Sequence, residues 1–142
     1  MTTPAAHRFW MRLDSLVLIF FGLIAALGTM PATSGAQRWI MDLLSFPLDG
    51  WPAWESPETW FLSALTGGFL VGWGTLLFAA GRWLHPLAPE PVRRSVMSGF
   101  LAWFVVDSAG SIASGNWENA LWNVLVLVFL MGPLWRPAHP QS

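Results

Sequence analysis

The sequence predicts an all-α membrane protein, a polytopic four-helix bundle with a short interfacial helix in its first outer loop. Of its 142 residues, 54% are hydrophobic and only 11% are charged, whereas about 25% are charged in an average globular protein. Four apolar segments each approach the roughly 20 residues that a helix needs to cross about 30 Å of hydrocarbon. Tryptophan, which favours the headgroup region, occurs 11 times. We therefore expect a single membrane domain that covers residues 1–142.

The predicted spans are residues 13–30, 59–81, 95–113 and 119–135. Ser56 and Pro57 have the residue types of an N-cap and a first helical position before the second span. Asn116 is expected to cap the fourth span. Pro31 and Pro133 are expected to end the first and fourth spans, because proline cannot continue a helix.

A cleaved signal peptide is the alternative interpretation of the first apolar segment. The segment follows arginines and is followed by the small residues Ala32 and Ala36. Its apolar run is longer than the 7–15 residues of a usual signal-peptide core, and Asp14 lies at its edge. These features favour a membrane span.

The distribution of basic residues predicts the orientation. All seven are arginines, and six precede the first span, lie between the second and third, or follow the fourth. Only Arg38 falls on the opposite side, where the loops carry Asp42, Asp49, Glu55, Glu58 and Glu118. Basic loops stay in the cytoplasm, so we expect both the N and C termini there.

The first outer loop, residues 31–58, is long enough to contain structure of its own. Ser34 and Gln37 have the spacing of a capping box, and Pro47 is expected to end the helix that follows. Its apolar face comprises Trp39, Ile40, Leu43 and Leu44. A helix over about residues 34–46 is too short to cross the bilayer and is typical of an interfacial helix. It is either a structural cap, or a lid or docking surface.

Asp107 is the one acidic residue well inside a predicted span. A charge at depth costs about 2.5–3.5 kcal/mol on insertion scales, so Asp107 is expected to face other helices and to meet Ser111 and Asn123. Possible residues of the outer mouth of this cluster are Arg38, Asn116 and Glu118. Two interpretations stay open: a polar cluster that fixes helix register, or a proton or ligand site.

Small residues recur in the first two spans. The second has Gly67, Gly68 and Gly72, of which the last two form a GxxxG spacing, and the first has Gly22 and Gly28. Such residues allow helix backbones to approach closely. They predict tight packing, and one of these faces is a candidate dimer face.

No cofactor, metal ligand or catalytic residue is predicted. His7 and His139 are expected in the terminal tails and His85 in the inner loop, outside the spans, which argues against axial ligation of a buried haem. The chain has no cysteine, so thiolate catalysis and cysteine-ligated metals are excluded. It also has no basic stripe for nucleic acid.

Four segments carry a resemblance to a known group. They are "LIFFGLIAALG", "FLSALTGGFLVGWGTLLF", "PVRRSV" and "DSAGSIASGNWENALWN". The chain resembles uncharacterised small four-helix inner-membrane proteins of bacteria, some of which are misleadingly labelled as an excision-nuclease subunit. The resemblance implies the fold and a bacterial inner-membrane location, and it implies no functional residue. The sequence has no acidic metal cluster or basic groove for nuclease chemistry.

Three classes of function are compatible with these features. The first is a non-enzymatic accessory or scaffold subunit that contacts the lipid bilayer and a membrane-protein partner or a second copy of the chain. The second is a small proton-coupled transporter or permeation subunit that uses Asp107. The third is an intramembrane or outer-face enzyme, which would need carboxylates that converge with Arg38 on one cavity.

Overall fold

A computed structural model describes residues 2–45, 48, 54 and 56–137. The predicted end of the interfacial helix at Pro47, the outer acids Asp49 and Glu55, and His139 lie outside the described residues. The chain is all-helical, with 83% helix and no strand among the described residues. The helices are α1 (Pro4–Leu27), α2 (Gly35–Leu44), α3 (Pro57–Ala79), α4 (Pro89–Ala113) and α5 (Trp117–Met131). A π-helical turn, Ala80–Leu84, follows α3, and a 3₁₀ turn, Gly132–Trp135, follows α5.

Four helical stretches are long and apolar enough to cross a membrane. They are Pro4–Leu27, Pro57–Leu84, Pro89–Ala113 and Trp117–Trp135. Large apolar side chains are exposed on all four, as a lipid solvent allows. By length and composition, these stretches indicate a multi-pass membrane protein.

The first helix begins at Pro4, well before the predicted start at residue 13, and ends at Leu27. The hydroxyl of Thr3 accepts a hydrogen bond from the Ala6 amide at 3.1 Å, and Pro4 follows it at the first helical position. This is the N-cap and proline pattern of a helix start. His7, Arg8 and Arg12 are polar, so the apolar run alone does not reveal that the helix begins before them.

Two of the predicted caps have a different geometry. Ser34 precedes α2 but has helical dihedrals, with φ −71° and ψ −12°, and makes no capping bond. Its hydroxyl donates to the Pro31 carbonyl at 3.2 Å, so the predicted capping box with Gln37 is wrong. A cap needs an extended residue, whereas the preceding turn is already coiled at Thr33. Asn116 occupies the N-cap position of α5, but its amide donates to Ser114.

The cap of α3 is as predicted. The backbone amide of Thr59 donates to the Ser56 hydroxyl at 3.2 Å. Pro57 occupies the first helical position, where its missing N–H leaves no intrahelical bond unmade. Glu58 adds a negative charge to the first turn, which the helix dipole favours.

The described residues form two compact units, one of Met1–Ser15 and Thr75–Ser142 and the other of Leu16–Gly74. In the second unit, α1 and α3 approach at their glycines, where a Cβ on Gly67 would lie 2.6 Å from the Ala26 nitrogen. The Ser63 hydroxyl donates to the Ala25 carbonyl at 2.7 Å across the same crossing. Gly68 and Gly72, the predicted GxxxG pair, have no atom within 4 Å of a built Cβ. Close packing here therefore uses Gly67 instead of that pair.

In the first unit, α4 packs along α5. The link between them contains Gly115, whose φ of +86° is a conformation that glycine adopts without strain. Gly132 ends α5 at φ +36°, directly against the Trp10 indole. The Trp10 ring nitrogen donates to the Phe129 carbonyl at 2.9 Å. The core of this unit comprises Met11, Phe100, Leu130, Met131 and Leu134.

Candidate functional site

The structure brings Asp107 of α4 against α5. Its Oδ2 accepts a hydrogen bond from the Asn123 amide at 2.6 Å and another from the Asn119 amide at 3.1 Å. Asn123 is buried and Asp107 is half-buried. One carboxylate oxygen thus receives two amide donors from the neighbouring helix.

Ser111 joins this cluster through Asn119, whose amide lies 2.8 Å from the Ser111 hydroxyl. The Asn123 amide also donates to the buried Ser108 hydroxyl at 3.1 Å. Ser108 is not among the predicted site residues, whereas Asn119 is expected at the outer mouth and instead bonds to Asp107 itself. The four-residue spacing of Asn119 and Asn123 on α5 was the available signal, because it places both amides on one helical face.

The hydrogen bonds of this cluster hold α4 and α5 together. Amide groups donate and the carboxylate and hydroxyl oxygens accept, and the described contacts join α4 to α5 along two turns. Such bonds average about 0.6 kcal/mol each in membrane proteins, with a maximum of about 1.7. The geometry therefore favours a role in helix register.

Of the residues predicted for the outer mouth, two lie in the same compact unit as Asp107. Asn116 is exposed and bonds to Ser114, and Glu118 is half-buried in the first turn of α5. Arg38 belongs to the other compact unit. There it lines a cavity of about 300 Å³ together with Pro31, Ser34, Trp54 and Trp60.

Three further buried polar side chains of this unit, those of His7, Asp14 and His85, were not predicted as a site. They are called here the second cluster, in which Asp14 lies about 10 Å further along α1 than His7. All three side chains are 0% exposed. The expectation that His7 lies in a terminal tail is wrong, because α1 begins before it. The centroids of the His7 and His85 rings are 5.8 Å apart, with their planes at 80°.

The π-helical turn places His85 at this position. The His85 amide bonds to the Ala80 carbonyl at 2.8 Å, five residues earlier. A π-turn accommodates one residue more than an α-helical turn, so it rotates the following side chain by about 100° relative to a continuous α-helix. Gly81 within the turn is buried and packs on Met11 of α1, which lies one turn beyond His7.

The contacts of Thr2 favour one tautomer of His7. The Thr2 hydroxyl lies 3.1 Å from His7 Nε2, and it is also 3.1 Å from the Arg136 carbonyl and 3.2 Å from the Pro137 carbonyl. Carbonyl oxygens only accept, so the single hydroxyl proton goes to them. In the tautomer that this arrangement favours, His7 Nε2 donates to Thr2 and Nδ1 has the lone pair.

Five buried side-chain atoms have no hydrogen-bond partner within the described part of the chain. They are His7 Nδ1, both oxygens of Asp14, and both ring nitrogens of His85. All five belong to this second cluster. Folded proteins keep few such atoms, because each unpaired buried polar group costs about 1–3 kcal/mol.

A charged group flanks the imidazoles. The buried Arg93 guanidinium bonds to both carboxylate oxygens of Glu90, at 2.7 and 2.6 Å, and to the Leu134 carbonyl at 2.6 Å. Arg94 bonds to the same carboxylate at 2.8 Å. The bidentate geometry fixes Arg93 in place, so a permanent positive charge is held on the unit that contains the histidines.

We expect the stability of the protein to fall as the pH falls from about 6.5. Burial lowers the pKa of His85, and the charges of His7 and Arg8 lower it further. Below the ordinary histidine pKa of about 6.5, the unfolded chain therefore binds a proton that the folded chain does not, and unfolding becomes easier. The measurement is the unfolding temperature in detergent micelles between pH 7.5 and 5. His85→Gln should flatten this dependence, and an equally steep dependence in that variant would contradict the expectation.

Comparison with protein-family models, with curated proteins and with solved structures finds no match. Among the described residues, no group of three or more His, Asp or Glu side chains is arranged to hold a metal ion. Function is therefore argued from the geometry of the described residues.

Proposed function

We propose that this multi-pass protein lies in the bacterial inner membrane with both termini in the cytoplasm, and that it is a non-enzymatic accessory or scaffold subunit of a larger membrane complex. The arginine distribution supports the orientation, since six of the seven lie in segments that the positive-inside rule assigns to the cytoplasm. The resemblance to small bacterial inner-membrane proteins supports the location. The role itself is argued from one surface of α4.

That surface is an uncovered stripe of small residues, called here the α4 stripe. It consists of the small residues Gly99, Ala102, Ala109 and Ala113 together with Val106, which recur at spacings of three and four residues and are all exposed. This spacing forms a continuous seam along one side of a helix. A built Cβ at Gly99 meets no atom within 4 Å. The seam is therefore open to a second helix.

The α4 stripe fits a helix better than it fits lipid alone. Helices in membranes associate through small residues, which allow close backbone approach. Among the described residues, α4 is also the least buried of the four candidate spans. Only 11% of its apolar segment is buried within the protein, against 22% or more for the other three. A long helix with an exposed seam of small residues and few buried residues is typical of a helix that binds another membrane helix.

The test is site-specific photo-crosslinking in cells. A crosslinking residue at Ala109 lies on the stripe, and the matched control is Ile112 on the same helix, exposed but about 60° or more away around the axis. We expect one discrete adduct with a different polypeptide from Ala109 and none from Ile112, and the adduct should disappear in a Gly99→Leu background. An adduct of twice the mass of the chain would instead make the stripe a homodimer face. Adducts with lipid alone would contradict the proposal.

A small proton-coupled transporter or permeation subunit is the second candidate. Its expected carrier, Asp107, is held by two amides from α5, which favours a structural role. The observation that favours transport is at the other cluster, where His7, Asp14 and His85 are buried without complete hydrogen bonding.

A further inference from the structure

We propose that His7, His85 and Asp14 form a hydrated proton-binding site, in which Asp14 holds a proton and the imidazole pair exchanges it with the solution at the N-terminal end of α1. The inference does not depend on the docking role of the α4 stripe. It assigns a ligand, a proton with its associated water, to residues that no predicted site includes.

The first support is the concentration of unpaired atoms. Every buried side-chain nitrogen or oxygen without a partner in the described part of the chain belongs to these three residues. Each unpaired buried polar atom is unfavourable, so five of them would be a large cost if nothing bound them. Polar groups of this kind are the usual partners of buried water, which makes about three hydrogen bonds per molecule. Bound water and protons would satisfy these atoms.

The second support is the order of the groups along α1. Thr2 is partly exposed and contacts His7 Nε2, and His7 stands beside His85. Asp14 follows His7 by seven residues, on the same helical face and about 10 Å deeper. From Pro4 to Asp14 the helix rises about 15 Å, half of a typical hydrocarbon core. The groups thus lead from an end of the helix to the middle of its span.

The carboxyl group suits the storage of a proton. No hydrogen-bond donor or cation contacts Asp14 among the described residues, and its side chain is fully buried. An isolated buried carboxylate is so unfavourable that the group is neutral instead. Asp14 is then an acid whose proton must cross the space toward His7. Met11 lies between them on the same face, and its flexible side chain can yield to water.

The imidazoles suit transfer. His7 Nδ1 carries a lone pair, and His85 has one N–H and one lone pair with no partner for either. The proton of Asp14, passed on through water, adds to an imidazole lone pair such as that of His7 Nδ1, and the opposite ring nitrogen releases its proton to the solution. The reverse transfer restores the neutral carboxyl group, so only O–H and N–H bonds are made and broken. The charged groups near the pair are Arg8 on α1 and Arg93 and Glu90 on α4. The lowered pKa of His85 means that the pair releases a proton readily.

Infrared difference spectroscopy of the purified protein in lipid tests the proposal without any partner protein. We expect the carbonyl band of a protonated carboxyl that is lost in Asp14→Asn and kept in the control Asp107→Asn. After transfer to heavy water, hydrogen–deuterium exchange of that band should be about tenfold slower or more in His85→Phe than in the wild type. His85→Gln, which is polar but cannot take up a proton, should slow it similarly, and the amide band verifies the helical fold of each variant.

Two results would overturn the proposal. One is a carboxyl band that persists in Asp14→Asn or disappears in Asp107→Asn, which would assign the proton to another group. The other is exchange at the wild-type rate in folded His85→Phe and His85→Gln, which would show that the proton reaches Asp14 without the imidazoles.

Discussion

Replacing Gly67 by alanine is expected to destabilise the protein by about 1–3 kcal/mol, in the upper part of that range. The added Cβ would lie 2.6 Å from the Ala26 nitrogen and 2.7 Å from the Gly22 carbonyl oxygen. Both are backbone atoms, which cannot move aside as a flexible side chain does. The helices α1 and α3 must therefore separate, and the Ser63 bond to the Ala25 carbonyl is strained as well.

The neighbouring glycine is a matched control for this change. Gly68→Ala alters the same helix by the same group, but its Cβ meets no atom within 4 Å. Alanine is favoured over glycine in a helix by about 1 kcal/mol, so this variant should be as stable as the wild type or slightly more so. The measurement is the unfolding temperature in mild detergent, followed by tryptophan fluorescence. Equal behaviour of the two variants would mean that the close crossing does not form.

Gly132→Ala is expected to have the second large effect. Gly132 ends α5 with φ +36° and ψ −123°, a combination outside the left-handed α region that costs a non-glycine residue on the order of 1–3 kcal/mol. The new Cβ would also overlap the Trp10 indole. Relief of the overlap would move the indole and break its bond to the Phe129 carbonyl. The combined loss should exceed the backbone cost alone.

Gly115→Ala separates these two causes. Gly115 also has a positive φ, of +86°, but has open space where a Cβ would stand. It should therefore lose only the backbone cost of about 1–2 kcal/mol. If Gly132→Ala is destabilised no more than Gly115→Ala, the overlap with Trp10 is not real. A Trp10→Ala background should reduce the difference between the two glycine variants, as measured by their unfolding temperatures.

The long apolar segments could be predicted because their signal is local. The start of α3 follows from Ser56 and Pro57, and the proximity of Asp107 and Asn123 follows from a short link between antiparallel helices. A carboxylate in an apolar helix also has few possible hydrogen-bond partners, so only a few polar residues were candidates for contact with Asp107. Such features depend on residues within about two dozen positions of one another.

The second cluster could not be predicted for two physical reasons. The start of α1 is marked by Thr3 and Pro4, but the basic and polar residues that follow are also typical of a tail. The orientation of His85 depends on a π-turn. The hydrogen bonds of such a turn join residues five positions apart and leave no periodic signal in the sequence. The prediction of a capping box at Ser34 was wrong for a related reason, because the coiled turn before Ser34 sets the dihedrals of Ser34.

The π-turn at Ala80–Leu84 has a consequence for how the protein can diverge. Its geometry depends on how many residues the turn contains more than on which ones they are. Deletion of a single codon there would restore an uninterrupted α-helix, keep the segment's hydrophobic length nearly intact, and swing the downstream imidazole away by about 100°. A homologous chain with that one-residue deletion would insert into the membrane in the same way but would lack the histidine pair. The position of this gap in an alignment would therefore distinguish the two kinds of chain better than percentage identity.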